Sequence, residues 1–261
     1  MGGSVLRAIA FLAGLLGFRA AEVVGPHHPP TAPLRRRWVA NLGLGLVNGI
    51  LVSALYAFCL SLAGARRLSW AFAPLPRLVP SVWMQAVVAV LILDLVTYAL
   101  HRAYHRVPFL WRFHEVHHTD LDLDVSSASR FHTGEVFFSS AVKLGAVTIL
   151  GIPPAGLVAF EIALLAAAQF EHANVRLPRR LETILWRTIV PPAMHRIHHA
   201  PNRGDTDSNY GTILTLWDRL FGSFNRRAPD PEPAFGIPAM RNPDRLGAGT
   251  LSLLPFRRPP V

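Results

Sequence analysis

The feature that most constrains this chain is a series of apolar segments long enough to enter a lipid bilayer. Residues 38–63 and 82–100 form two long apolar runs, each long enough to span a bilayer with some tilt. Residues 136–150 and 155–170 form two shorter runs, and the Gly-Ile-Pro-Pro sequence between them predicts a turn. These two runs form either a hairpin that dips into the bilayer and returns or a pair of tilted spanning helices. Charged residues make up 16% of the chain, against about 25% in a soluble domain. The sequence therefore predicts an all-α integral membrane helical bundle.

Changes in composition divide the chain into three parts. Residues 1–34 combine an apolar stretch, residues 5–18, with a Pro-rich loop, which predicts an amphipathic or interfacial segment. That stretch resembles a short signal peptide, but no small-residue cleavage site follows it. Residues 35–230 hold the apolar runs and most of the histidines and form the predicted membrane-embedded domain. Residues 231–261 form a predicted Pro-rich C-terminal tail.

The distribution of arginine predicts an orientation in the membrane. The net charge is +10, and arginines concentrate at residues 35–37, after residue 100 and after residue 170. Because cytoplasmic loops carry the excess of Lys and Arg, these segments are predicted to be cytoplasmic. All the histidine motifs then lie at one membrane face, in the inner membrane if the source is bacterial. No nucleic-acid-binding motif accompanies the basic charge, and no nucleic-acid partner is predicted.

Histidine is the second distinctive feature, with 12 residues of which ten follow residue 100. His101 and His105 are four residues apart, so on a helix their imidazoles share a face. Two HxxHH motifs run from His114 to His118 and from His195 to His199. Adjacent histidines on a helix diverge by about 100°, which suits two metal ions better than one. Eight imidazoles also exceed what a four-coordinate ion requires. The pattern predicts a dinuclear metal site in a histidine-rich helical cap on the cytoplasmic side.

Two further histidines, His132 and His172, stand in polar contexts near these motifs, whereas His27 and His28 lie in a Pro-rich loop and are excluded. The predicted metal ligands are His101, His105, His114, His117, His118, His132, His172, His195, His198 and His199.

Five polar residues are candidates to support these ligands. Asp94 lies seven residues before His101 on the same helix face, where an intramembrane acid is a candidate functional group. It is expected either to accept a hydrogen bond from a ligand imidazole or to pair with an arginine near the interface. Glu115, Glu135 and Glu171 are candidates for the same hydrogen-bonding role, and Asn209 is a candidate to hold a metal-bound water.

The spacing of the motifs and the residues around them resemble the fatty acid hydroxylase superfamily, which includes sterol desaturases, and are most similar to its bacterial branch. One departure is visible, since the family often has His-Pro-x-Glu where this chain has His132-Thr-Gly-Glu135. The matching stretches are Asp94–His105, Trp111–His118, Arg130–His132 with Glu135, His172–Asn174, Met194–His199, Asn209–Gly211 and Leu216–Gly222.

The resemblance implies a membrane enzyme with two non-haem iron ions that uses O2 to hydroxylate or desaturate a C–H bond of a lipid. Imidazole suits iron, and open coordination positions are needed for oxygen. One cysteine and no Gly-rich nucleotide motif imply that electrons come from a separate protein, of ferredoxin or cytochrome b5 type.

Two other functions are compatible with the histidine pattern. A zinc-dependent membrane hydrolase needs a carboxylate base beside its water, and Glu115 offers one. A metal-handling or transport protein would place its ligands near the bilayer midplane, whereas these histidines follow the ends of the apolar runs.

Overall fold

The computed structural model describes residues 2–65, 74–226 and 235–257, and α-helices dominate these residues. Five helices are long and apolar enough to cross a membrane. Many of their apolar side chains, such as Leu16, Ile50 and Val87, are exposed on the outside of the bundle, as expected for a surface that faces lipid. The five helices are α1 (Gly2–Val24), α2 (Leu34–Ala65), α4 (Val82–Arg106), α6 (Thr133–Leu150) and α7 (Pro154–His172).

This architecture confirms the all-α membrane bundle and adds a helix to it. The sequence predicted an interfacial segment in residues 1–34, but α1 continues past the apolar stretch to Val24. Arg19 and Glu22 form an ion pair within its last turns at 3.2 Å, and Glu22 is buried rather than solvated. Arg19 and Glu22 therefore belong to α1 and lie in its last turns.

Contacts along α1 and α7 show that these two helices run parallel. Arg7 of α1 pairs with Glu161 of α7 near one end, and Phe18 packs against Phe170 near the other. The helices α6 and α7 are joined at Gly151, whose φ of 69° is a left-handed conformation that glycine adopts without strain. Close packing of α7 on α4 requires Gly156, since a Cβ there would lie 2.9 Å from the Cβ of Ala89.

One side of the bundle, here named the histidine side, collects the C-terminal ends of α1, α4 and α7 and the N-terminal ends of α2 and α6. Arg37 at the start of α2 bonds Asp120 beyond α5, and Glu22 at the end of α1 accepts from Asn174 beyond α7. The short helices of this side are α5 (Pro108–His118), a 3-10 turn (Val125–Ser129), α8 (Arg179–Leu185), α9 (Pro192–His198), α10 (Arg203–Thr206) and α11 (Leu216–Leu220). At the opposite side α3 (Pro74–Leu78) precedes α4.

The C-terminal residues pack onto the histidine side. Helix α12 (Ala248–Arg257) buries Leu251 and Leu254 against Leu44 of α2 and Val116 of α5. Of the predicted tail, residues 231–234 and 258–261 lie outside the described residues. Residues 235–257 cover the start of α2 and the back of α5, and so support the elements that carry the histidines.

Candidate metal centre

Nine of the ten predicted ligands gather in two groups on the histidine side. In each group every residue offers a ring nitrogen that lies within 4.8 Å of those of the others. The first histidine group is His101, His105, His114, His118 and His198, and the second is His117, His172, His195 and His199.

Both groups are built where two helices meet at an angle. Helix α4 ends at Arg106, Val107 is extended, and Pro108 begins α5, so the chain turns sharply and lays α5 against the last turn of α4. His101 and His105 of α4 thereby face His114 of α5, with ring centroids 4.8 and 4.9 Å from that of His114. Helix α9 closes the arrangement from the other side, since the ring of His198 lies 4.5 Å from that of His101.

The adjacent histidines of each HxxHH motif divide between the two groups. His117 belongs to the second group and His118 to the first, and on α9 the same division separates His199 from His198. This is the divergence that helical geometry requires of neighbouring side chains. The two groups therefore share two helices and lie side by side, as the ring centroids of His117 and His118, 5.5 Å apart, illustrate.

Backbone carbonyl groups fix the protonation of four of these rings. The Nδ1 atom of His101 lies 2.8 Å from the carbonyl oxygen of Tyr210, and that of His198 lies 2.8 Å from the oxygen of Ser208. His117 and His172 make the same contact with Arg130 at 3.2 Å and with Ala168 at 2.7 Å. A carbonyl only accepts, so Nδ1 carries the hydrogen and Nε2 of the neutral ring carries a lone pair.

The remaining nitrogens form an arrangement that suits a cation. The Nε2 atoms of His117 and His172 lie 3.1 Å apart, and both carry lone pairs, so they cannot bond each other. The Nε2 atoms of His101, His105 and His198 are buried without a hydrogen-bond partner. A metal ion bound between the rings would satisfy both features, and imidazole is a ligand of zinc, iron and copper.

Burial keeps five histidines at the ends of α5 and α9 neutral, as metal ligands must be. The pKa of His117, of His118, of His195 and of His199 lies well below the usual value, because burial disfavours the charged ring and the neighbouring histidines oppose its charge. Burial likewise lowers the pKa of His198 to about 3. The rings are therefore deprotonated and available to a metal at neutral pH.

Three of the rings have a carboxylate oxygen within 3.6 Å of their Nδ1 atom. Glu135 accepts from Nδ1 of His114 at 2.8 Å. Glu171 lies 3.6 Å from Nδ1 of His195, and one of its oxygens is buried without a partner. Asp207, which the sequence did not single out, lies 3.4 Å from Nδ1 of His105. Such partners orient metal-bound histidines and raise their basicity.

Two of the remaining three supporting candidates, Asp94 and Asn209, are engaged by groups other than the histidine rings. Asp94 is fully buried and accepts from the indole of Trp217 at 2.7 Å and from two backbone N–H groups, those of Ile213 and Leu214. Asn209 donates to the carbonyls of Met194 and Asn225. Each therefore stabilises the segment after α10 and makes no hydrogen bond to a histidine ring in the described part of the chain. Glu115 is buried on α5.

His132 lies outside both histidine groups because its two nitrogens serve the fold. Its Nδ1 accepts from the N–H of Gly134 at the start of α6, and its Nε2 lies 3.0 Å from the carbonyl oxygen of Ser252 in α12. His27 and His28 also lie outside the groups, in the α1–α2 loop, where their backbone N–H groups donate to Asn174.

A buried polar layer beneath the second histidine group was not expected from the sequence. Arg130 is 1% exposed and donates to the carbonyl of Val116 and to Asn41, while its own carbonyl accepts from His117. Asp120 accepts from Arg37 at 2.5 Å and from Asn41 at 3.0 Å. The layer comprises Arg37, Asn41, Asp120, Asp122, Asp124, Ser126, Ser127 and Arg130.

Comparison with known proteins agrees with this geometry. The family model described as fatty acid hydroxylase matches residues 86–223, which hold both histidine groups. The chain belongs to the fatty acid hydroxylase family. As a member of this family it is 31% identical over 166 residues to the ornithine lipid hydroxylase of Rhizobium tropici, which covers 60% of this chain and 48% of that protein. It is 32% identical over 164 residues to the alkylglycerol monooxygenase of Homo sapiens, covering 60% of this chain and 33% of that protein.

A longer match, with the cholesterol 25-hydroxylase of Homo sapiens, has 24% identity over 206 residues, 75% of this chain and 70% of that protein. The chain thus spans half or less of the ornithine lipid hydroxylase and of the alkylglycerol monooxygenase. No solved structure gives a significant match.

Proposed function

We propose that this protein is an O2-dependent di-iron hydroxylase of a membrane lipid. The observation that carries the proposal is the pair of adjacent, buried groups of imidazoles at the ends of membrane helices. The relatives named above are hydroxylases and monooxygenases, and the names of all three contain a lipid. Among the two reactions compatible with the sequence motifs, these names favour hydroxylation over desaturation.

Each histidine group would hold one iron ion. His101, His105, His114, His118 and His198 would bind the first ion, and His117, His172, His195 and His199 would bind the second. Iron in such a site supplies the activation of O2 that attack on an unactivated C–H bond requires. Overall, R–H, O2, two electrons and two protons give R–OH and water, so the reaction needs an external electron donor.

The protein contributes orientation and the exclusion of water. Carbonyl acceptors at Nδ1 of His101, His117, His172 and His198 aim each lone pair at the centre of its group. Glu135 fixes the ring of His114 in the same way. Every residue of both groups is buried, so the site is shielded from solvent. His101 and His172 belong to membrane helices, which favours a substrate that arrives from the bilayer.

We infer that the histidine side is cytoplasmic. Exposed arginines are abundant there on the segments that follow α7 and on the C-terminal segment, and an excess of Arg marks cytoplasmic loops. Acidic residues are fewer on these segments, and one of them, Asp218, is buried. An integral membrane protein with a cytoplasmic site would receive electrons from a cytoplasmic donor.

The proposal is tested by expressing the protein in a bacterial host under 18O2 and measuring its lipids by mass spectrometry. A lipid class should gain one 18O atom, and His117→Ala and His198→Ala should each abolish that gain while the protein stays in the membrane. His132→Asn is the matched control, because His132 lies outside both groups, and it should retain activity. Lipid oxidation that survives both alanine substitutions would contradict the ligand assignment.

A further inference from the structure

Trp111 connects the first histidine group to the surface of the histidine side. Its ring centroid lies 5.0 Å from that of His105 and 5.3 Å from that of His118. The side chain is half-buried, whereas the rings of both histidines are buried. The guanidinium of the exposed Arg203 lies 5.7 Å from the indole centroid on the outer side. The indole therefore has histidines of the candidate site on one side and a solvated arginine on the other.

The position of Trp111 on α5 places it away from the lipid. Phe109 and Phe113 lie on another face of α5, where Phe109 is exposed and Phe113 packs against Phe256 of α12. Trp111 instead faces α10, a polar surface helix. Tyr104 and Tyr210, whose rings lie beside His114 and His105 of the first histidine group, are both buried. Phe131 stacks on His117 of the second group, with ring centroids 4.2 Å apart.

The surface around Trp111 is part of a basic face. Arg203 is exposed beside it, and the exposed Arg106 lies beside the phenol of Tyr210, whose ring centroid is 5.2 Å from that of His105. The nearby acids have partners of their own, since Asp207 lies 3.9 Å from Arg203 and Asp205 accepts from Asn225. Further exposed arginines extend the positive charge over the same side of the protein, at Arg176, Arg179, Arg180, Arg187, Arg219 and Arg226.

The inference about this surface rests on the proposed function, because the proposed reaction consumes electrons. Two electrons must reach the metal site for each C–H bond that is hydroxylated. The chain has one cysteine, Cys59, and therefore lacks the thiolates of its own iron–sulfur cluster. Electron transfer between proteins weakens steeply with distance, so a donor must dock where the protein between it and the site is thinnest and best conducting.

We propose that Trp111 is the point of electron entry and that an acidic one-electron carrier protein docks over it, on the surface that carries Arg203 and Arg106. The carrier would give up one electron at a time across the indole, and would be oxidised once for each electron delivered. Each electron would reduce the iron that the first histidine group would hold. The arginines attract its acidic surface and orient it, a role in which charge acts mainly on the association rate and its salt dependence.

Docking is tested first without chemistry, on zinc-loaded protein in nanodiscs of zwitterionic lipid, with a plant-type ferredoxin as the probe. Wild-type binding should weaken as salt rises, and Arg106→Glu and Arg203→Glu should each weaken it about tenfold at low salt, because reversing a rim charge replaces attraction with repulsion. Arg180→Glu is the matched control, an exposed arginine on α8, and should change binding little. Equal weakening by all three substitutions would overturn the docking site.

Electron entry is tested by stopped-flow reduction of the iron-loaded protein. Trp111→Leu should slow reduction by ferredoxin at every salt concentration, and Trp111→Phe should restore most of the rate because an aromatic ring remains. Dithionite, which needs no docking surface, should reduce all variants at the wild-type rate and also shows that their iron is retained. An unchanged ferredoxin rate in Trp111→Leu would overturn the role of Trp111.

The two proposals fail in different ways. Wild-type protein without dithionite-reducible iron would refute the di-iron function itself. Wild-type protein that dithionite reduces, but that ferredoxin neither binds nor reduces at any salt concentration, would refute only the acidic carrier and its docking site.

Discussion

Asp120→Asn would remove the central negative charge of the polar layer beneath the second histidine group. Asp120 is 1% exposed, and its two carboxylate oxygens accept from Arg37, at 2.5 and 3.0 Å, from Asn41 and from Ser127. Burial alone would raise its pKa, but the guanidinium groups of Arg37 and Arg130 outweigh burial and hold that pKa well below the usual value. The carboxylate is therefore ionised at neutral pH.

The substitution should lower the free energy of unfolding because it leaves the buried guanidinium groups without one of their carboxylates. Removing one partner of a buried ion pair costs about 3–5 kcal/mol, because the other charge stays buried. Asp124 still accepts from Arg37 at 2.7 Å, so we expect the lower end, about 3 kcal/mol, or roughly a hundredfold in the unfolding equilibrium. Because the carbonyl of Arg130 positions His117, metal should also be lost preferentially from the second group.

Urea unfolding in detergent micelles, followed by tryptophan fluorescence together with metal content, measures both effects. Asp244→Asn is the matched control. Asp244 pairs with Arg36, the neighbour of Arg37 on α2, but this pair is exposed, and exposed pairs contribute about 0–1 kcal/mol.

The depressed pKa of Asp120 also predicts how its contribution to stability depends on pH. That contribution is complete above the unfolded-state pKa of about 4 and is lost as the pH falls through the folded-state pKa. Wild-type protein and Asp120→Asn should therefore become equally stable only in strong acid. Equal stability of Asp120→Asn and Asp244→Asn at neutral pH would refute the reasoning.

Three further outcomes are expected. Glu135→Gln should weaken metal binding about 10- to 100-fold, measured by chelator competition, because it removes the carboxylate that orients His114; unchanged affinity would contradict this role. Gly14→Val should destabilise the protein by about 1–3 kcal/mol, since a Cβ there would overlap the buried amide of Gln169, whereas Gly17→Val, which meets no neighbour, should leave the unfolding midpoint nearly unchanged. Removal of metal by a chelator should lower the thermal midpoint, because the facing lone pairs then repel each other; an unchanged midpoint would show that no structural metal is bound.

Features set by local spacing could be predicted from the sequence. The apolar runs predicted four of the membrane helices. The i, i+3 and i+4 spacing predicted that His117 and His118 point towards different metal ions. Both follow from helical geometry alone. The end of α1 could not be predicted in this way, since Glu22 is tolerated there only because Asn174 and Val125, far along the chain, donate to it.

Features set by contacts between distant segments could not be predicted. His132 has the same local context as a ligand, but α12, about 120 residues later, supplies the carbonyl that engages it. Asp94 shares a helix with His101, but its carboxylate accepts from the indole of Trp217, far along the chain. The roles of Arg130 and Asp207 likewise depend on which loop each element meets after folding.

The most direct test of the two-metal site is the metal content of protein purified without oxygen. Two iron ions per chain, falling in His117→Ala and in His198→Ala, is the result that nine buried histidines in two groups predict. One zinc ion per chain, retained in an active protein with no requirement for iron, would contradict it.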